Sequence, residues 1–226
     1  MTLPWFEREP EAYEALRQVL LRTYPTLHAR KVNGAVVVRG TLGISHDGVE
    51  VDRYSLDIKL PDNYPHWLPT VWETAERIPR TMDRHVYPKT GALCLGVSEE
   101  LWLAMNGDFS LERVLDIPVR NYLIGNSLVE QGEEWPTGDR GHGVKGIIEF
   151  YRTLLGIKDE LVLLRFLRSF IFKKHKGHWP CPCGSGRVLR KCHMDGVRQL
   201  ARVPQGLVLH TANLLIERLK LEKAAA

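Results

Sequence analysis

Four cysteines carry most of the chemistry open to this chain, and they fall into two islands. In the second island Cys181-Pro182-Cys183 is followed by Cys192-His193. Three thiols and an imidazole at that spacing read as metal ligands, not as a disulfide framework. Cys94 is left alone, in Gly91-Ala92-Leu93-Cys94-Leu95, on an irregular segment just after a strand, where a thiol can face a partner instead of a core. A thiolate is nucleophilic near neutral pH, so a cysteine placed this way can accept an acyl group as a thioester. The competing reading is a small buried hydrophobe, as most solitary intracellular cysteines are.

The elements that must position these groups are legible in the hydrophobic pattern. Tyr13, Leu16, Val19 and Leu20 recur at helical spacing over residues 10–24, with Pro10 in the first turn and Pro25 as terminator. β-rich runs follow at 35–42, 54–60 and 70–74, separated by His46-Asp47-Gly48 and by the proline-rich 61–69 stretch. Short sequential strands with short connections predict an antiparallel meander. Ser110 is expected to cap a helix through about 129, with Pro118 kinking or breaking it. A glycine-rich loop spans 130–146, and helical patterns follow near 144–155, 158–174 and 207–222.

The order of these pieces resembles the ubiquitin-conjugating enzymes. The pieces are a helix, a meander, a Tyr-Pro turn inside Leu60-Pro61-Asp62-Asn63-Tyr64-Pro65, and His85 ahead of Gly-x-x-Cys-Leu. Trp102 then comes eight residues after Cys94, ahead of a helix that opens Leu111-Glu112-Arg113. The match spans roughly 10–155 and is similar in particular to bacterial relatives from antiphage operons of the CBASS type. It implies that Cys94 receives the C-terminus of a ubiquitin-like protein, or of a cGAS-like nucleotidyltransferase, as a thioester. The cysteine would then pass that tail to an amine on an acceptor protein. It further implies that His85 holds the loop beside the cysteine, that Tyr64, Pro65 and Trp102 shape the fold around the site, and that charging requires a separate activating enzyme or a direct route.

One departure from the family bears on mechanism. Where the family has His-Pro-Asn this chain has His85-Val86-Tyr87, so the asparagine amide is missing. Loss of one oxyanion donor costs about 2.7–4 kcal/mol of transition-state stabilisation in other enzymes. Tyr87, through its phenol, and His142, in Asp139-Arg140-Gly141-His142-Gly143, are the candidates to replace it.

The metal island, Trp179 through His193, resembles the SEC-C motif, a small zinc-binding module. Resemblance assigns Cys181, Cys183, Cys192 and His193 as ligands of a structural Zn2+, a closed tetrahedron with no open position. His175 and His178 are alternative ligands. Metal binding would be the main stabilisation of so small a module, and SEC-C tails imply a recruitment role.

Composition is ordinary for a globular chain, with 44% hydrophobic and 26% charged residues and a net charge of +4 over 226 residues. No apolar run reaches membrane-spanning length and the start lacks a secretory pattern, so a cytoplasmic protein without membrane association is expected. The mild charge argues against a nucleic-acid partner, and Phe170, Phe172 and Trp179 are read as packing residues. The expected fold is α+β. It comprises a conjugating-enzyme-like domain at 1–156 with a meander sheet flanked by helices, a helical connector at 157–177, the SEC-C zinc motif at 178–196 and a C-terminal helix at 197–226. The rival to a cysteine-dependent transferase is a non-catalytic binding module of the same fold, with the zinc tail recruiting a target. A third reading is nucleic-acid binding through the basic C-terminal end, where Lys173, Lys174, Lys176, Arg187, Arg190 and Lys191 gather, and it predicts steeply salt-dependent affinity.

Overall fold

The computed structural model describes residues 3–136, 141 and 143–225. In chain order the elements are α1 (Trp5–Arg8), α2 (Pro10–Thr23), β1 (Leu27–Val32), β2 (Ala35–His46), β3 (Val49–Lys59), β4 (Thr70–Glu73), α3 (Ser98–Ala104), α4 (Leu111–Val114), α5 (Arg120–Glu130), α6 (Val144–Leu155), α7 (Glu160–Phe172), α8 (Met194–Leu200) and α9 (Gln205–Ala225). The architecture is α+β, and the chain divides into two compact units, 1–95 with 108–139 and 96–107 with 140–226.

The first unit is built on a four-stranded antiparallel meander in the order β1-β2-β3-β4. Its two tight hairpins turn on Asn33-Gly34 and Asp47-Gly48, whose φ angles are all positive. That backbone matches the twist of the flanking strands and suits Asn or Asp followed by Gly. Val38 pairs with Ile58 and Leu42 with Tyr54, so the inward positions of β2 and β3 face one another in register and are almost fully buried. Leu16 and Leu20 of α2 and Tyr122 and Leu123 of α5 are buried within the same unit. Full burial of each such side chain is worth about 1.5–3 kcal/mol.

Three local features differ from the sequence expectation. β1 is an additional strand; it lies at the sheet edge and only Leu27 of its six residues is buried, so it carries no alternation to read. The 110–129 helix is not simply kinked: between α4 and α5 runs a wider turn, Leu115–Val119, which contains Pro118. The widened turn accommodates a residue with no N–H to give to the helical ladder. Ser110 occupies the cap position without a side-chain cap bond. Instead Asp108 accepts its backbone N–H at 2.8 Å, and the Tyr64 hydroxyl accepts the Leu111 N–H at 2.8 Å.

In the second unit α3 and α6 to α9 bury one stripe each. Ile148, Tyr151 and Leu155 of α6 and Leu163, Phe166, Leu167 and Ile171 of α7 follow helical spacing. The Asp159 side chain caps α7 by accepting from Val162 N at 2.8 Å. α3, missed in the sequence, brings Glu99 into this core, where its carboxylate accepts from Tyr151 Oη at 3.1 Å and from the Thr211 hydroxyl. The Trp102 indole N–H donates to the Arg202 carbonyl at 2.6 Å, also within this unit.

Candidate functional site

Cys94 is held by the outer edge of β4. Leu93 N donates to Val71 O at 2.8 Å, and Trp72 with Ala92 and Val86 with Leu93 form short antiparallel bridges. The segment therefore docks as a partial fifth strand, with a tight turn at 87–91 closed by Gly91 N donating to Tyr87 O at 2.7 Å. Gly91 adopts φ +70°, which a side chain there would resist. Just beyond these bridges Cys94 N donates to the His85 carbonyl at 2.7 Å. His85 itself has φ +52°, an uncommon backbone for a side-chain-bearing residue.

Three of the sequence candidates thus meet in one hairpin. Cys94 is half-buried and in no disulfide. The Tyr87 hydroxyl donates to its Sγ at 3.4 Å. Burial, and secondarily the adjacent Cys94 sulfur, pushes the Tyr87 phenol well above its ordinary range, so at neutral pH it remains a proton-bearing donor. His85 contributes its carbonyl to the cysteine, while its imidazole lies 4.3 Å from the Trp135 ring, centroid to centroid. His142 lies outside the described residues, and Trp102 belongs to the second unit.

The structure adds residues that the sequence did not single out. Trp135 covers the His85 ring and also approaches Tyr122, with centroids 5.7 Å apart. Tyr122 in turn donates to the Arg84 carbonyl at 2.9 Å, and Arg84 Nε donates to the fully buried Asn126 at 2.9 Å. This chain of contacts ties α5 to the backbone just before His85. An Asn-containing amphipathic helix was its only sequence signal. Val86, Gly91 and Leu93 of the hairpin also line a cleft of about 280 Å³ with Glu73 and Arg80.

The second candidate is the Cys/His cluster. The ligand atoms of Cys181, Cys183, Cys192 and His193 all lie within 4.8 Å of one another. Cys183 Sγ and Cys192 Sγ are 3.6 Å apart, and His193 Nδ1 is 3.2 Å from Cys181 Sγ and 3.1 Å from Cys192 Sγ. Sulfurs about 2.3 Å from a tetrahedral ion stand about 3.8 Å from one another, so these separations suit one cation shared by four donors. A short hairpin and a single 3-10 turn make the arrangement. Cys181 N donates to Arg187 O at 2.8 Å, and both Cys192 N and His193 N donate to Leu189 O. Burial raises the Cys181 thiol to about 12 in the metal-free protein, so a bound cation must displace its proton.

His175 and His178 stand outside the four. The His175 ring contacts Ser169 O at 3.1 Å and stacks on Phe170; the His178 ring meets Trp179 edge-on. The cluster does not float free of a core. His193 packs edge-on against Phe166 of α7, with centroids 5.4 Å apart, and Leu189 is fully buried. Gly196 of α8 lies so close to α6 that an added Cβ would sit 2.4 Å from Leu155 Cδ2.

Two chemical groupings are therefore present, a thiol with a phenol donor and a four-donor Cys/His cluster that could hold a metal ion. Residues 180–195 match the SEC-C motif, which coincides with the cluster. No curated protein and no solved structure matches the chain. Among the described residues no helix is long and apolar enough to cross a membrane.

Proposed function

We propose that Cys94 is a thioester-forming nucleophile in a ubiquitin-conjugating-like transferase. The observation that carries this reading is the Tyr87 hydroxyl donating to a half-buried Sγ on a hairpin docked at the edge of an antiparallel meander. Resemblance in order and spacing, from the Tyr64-Pro65 turn to Cys94, supports the family. The thiolate attacks the carbonyl carbon of an activated C-terminal tail, whose leaving group departs with its electron pair, and a thioester forms. An acceptor amine then attacks the same carbon, an amide forms, a proton leaves the amine and the thiolate is released.

Roles follow from position. Because the Cys94 amide is spent on the His85 carbonyl, the Tyr87 phenol takes the place of the missing asparagine as donor to the oxyanion that develops on the carbonyl oxygen. His85 and Trp135 position the segment. His142 is assigned to the site on resemblance alone. The tail belongs to a ubiquitin-like protein or a cGAS-like nucleotidyltransferase in an antiphage setting, and it arrives activated by a separate enzyme or through a direct charging route. The protein works in the cytoplasm.

The metal we propose is zinc, held by Cys181, Cys183, Cys192 and His193. Three sulfurs and one imidazole nitrogen suit that ion, and with all four positions taken by protein its role is structural.

The test is Cys94→Lys, co-expressed with the products of neighbouring genes and read by intact mass under non-reducing conditions. The reading expects a stable increment on the lysine variant and a thiol-sensitive one of the same donor on the wild type. A partner that co-purifies with both proteins without any adduct overturns the transferase in favour of a binding module.

A further inference from the structure

The sequence reading assigns Phe172 and Trp179 to packing, and the structure places them otherwise: Phe172 is 67% exposed and Trp179 41% exposed. They stand in a segment of marked charge asymmetry. Residues 161–194 hold eight lysines and arginines and no aspartate or glutamate, although the whole chain carries a net charge of only +4. Among the described residues none of these eight cations forms an ion pair, so their charge is not neutralised within the fold.

The backbone gathers part of this segment into one platform. Leu189 N donates to Trp179 O and Arg190 N to Gly177 O, each at 2.8 Å, while Pro180 bridges Val188. Lys176, Trp179 and Arg190 are thereby brought side by side, with Lys176 Nζ 5.7 Å from the Trp179 ring. Arg187 is folded back onto the Lys191 carbonyl, and both side chains remain exposed. On α7, Arg165, Arg168 and Phe172 are all exposed at spacings of three and four, and so share one helical face.

We propose that this face binds single-stranded nucleic acid. Cations alone would suit any polyanion. The exposed indole among them decides for a ligand with flat faces, since a base stacks on an aromatic ring while lysine and arginine hold the phosphates on either side. An acidic protein surface would use the charge and leave Trp179 and Phe172 without a partner. The metal cluster gives the platform its rigidity, because Cys181 and Cys192 bracket the segment that carries Arg187, Arg190 and Lys191.

The experiment uses the 226-residue chain loaded with zinc and fluorescence anisotropy with labelled 20-mers of oligo(U) and oligo(dT). It is run at several salt concentrations against Trp179→Ala, Lys176→Glu and Arg190→Glu. Metal content and circular dichroism establish that each variant is folded. The proposal expects binding that weakens steeply with salt, a loss of roughly five- to hundredfold in Trp179→Ala, and a shallower salt slope in the two charge reversals. A preference between the oligomers identifies RNA or DNA as the source. Absence of binding at low salt, affinity unaffected by Trp179→Ala, or equal competition by polyglutamate of matched charge would each overturn it, the last in favour of an acidic protein partner.

Discussion

The Tyr87 hydroxyl donates to Cys94 Sγ across 3.4 Å, from the opposite arm of the hairpin that positions the cysteine. The pairing joins a thiol to a donor whose proton is secure at neutral pH, because burial holds the phenol far above its usual range. Tyr87→Phe keeps the ring and removes the donor. We expect folding stability to fall by about 1 kcal/mol and alkylation of Cys94 by iodoacetamide at pH 8 to slow several-fold. Unchanged alkylation would separate Tyr87 from the chemistry of the sulfur.

Metal content is the most direct test of the second site. Elemental analysis of the purified protein should find one zinc ion per chain. Cys192→Ser should reduce it to near zero and lower the melting temperature. Burial lifts the Cys181 thiol to about 12 without metal, so uptake must release protons, and apparent affinity should rise with pH between 6 and 8. A pH-independent affinity would show that the buried thiol is not a ligand.

Glu99 is 2% exposed, and burial is the main cause raising its carboxyl above the ordinary value; the bonds from Thr211 and Tyr151 oppose the shift. A carboxyl raised in the folded state contributes stability that is present below its unfolded value of about 4.3 and is lost as pH rises through the folded one. At pH 7.5 the charged form therefore costs stability. Glu99→Gln, which keeps an acceptor for Tyr151 and Thr211, should match or exceed the wild type in urea unfolding. Glu99→Ala should lose about 2 kcal/mol through the unsatisfied hydroxyls and the cavity.

Alkali should unfold the first unit through its buried phenols. Burial raises both Tyr54 and Tyr64 to about 12. Between the unfolded value of about 10 and that level the folded state holds protons that the unfolded state has lost, so stability falls as pH rises. The decline should reach about 1.4 kcal/mol per pH unit for each phenol. Replacing Tyr64 by Phe should flatten part of that limb, at a cost near neutrality of about 1 kcal/mol, because Leu111 N then loses its acceptor at the start of α4. Denaturant titrations from pH 8 to 11.5 measure both effects.

Legibility followed period and chemistry. α2, α6 and α7 were readable because their apolar residues recur at helical spacing over three turns or more. The β2–β3 hairpin was readable because Asp47-Gly48 sits between two alternating runs. β1 was not, although Asn33-Gly34 is an equally strong turn signal, because an edge strand with one buried residue leaves no alternation. α3 escaped because seven residues give less than two turns of pattern. The grouping of Cys181, Cys183, Cys192 and His193 was legible from spacing, since a hairpin and one helical turn suffice to bring their donor atoms together. Trp135, Arg84 and Asn126 were not, because their contacts with the cysteine segment join residues about 40 or 50 positions apart.

By itself the sequence determined that one thiol stands apart from a metal-type Cys/His set, that an antiparallel meander precedes the thiol, and that helices dominate the remainder. These depend on local period and on donor chemistry, which neighbouring residues set. Tertiary structure alone decided that the Tyr87 hydroxyl meets Cys94 and that Trp135 covers His85. It also decided that Phe172 and Trp179 face solvent beside cations that form no ion pair among the described residues. Such facts depend on which surfaces are left after packing, and an aromatic side chain has the same apolar character whether its neighbours cover it or not.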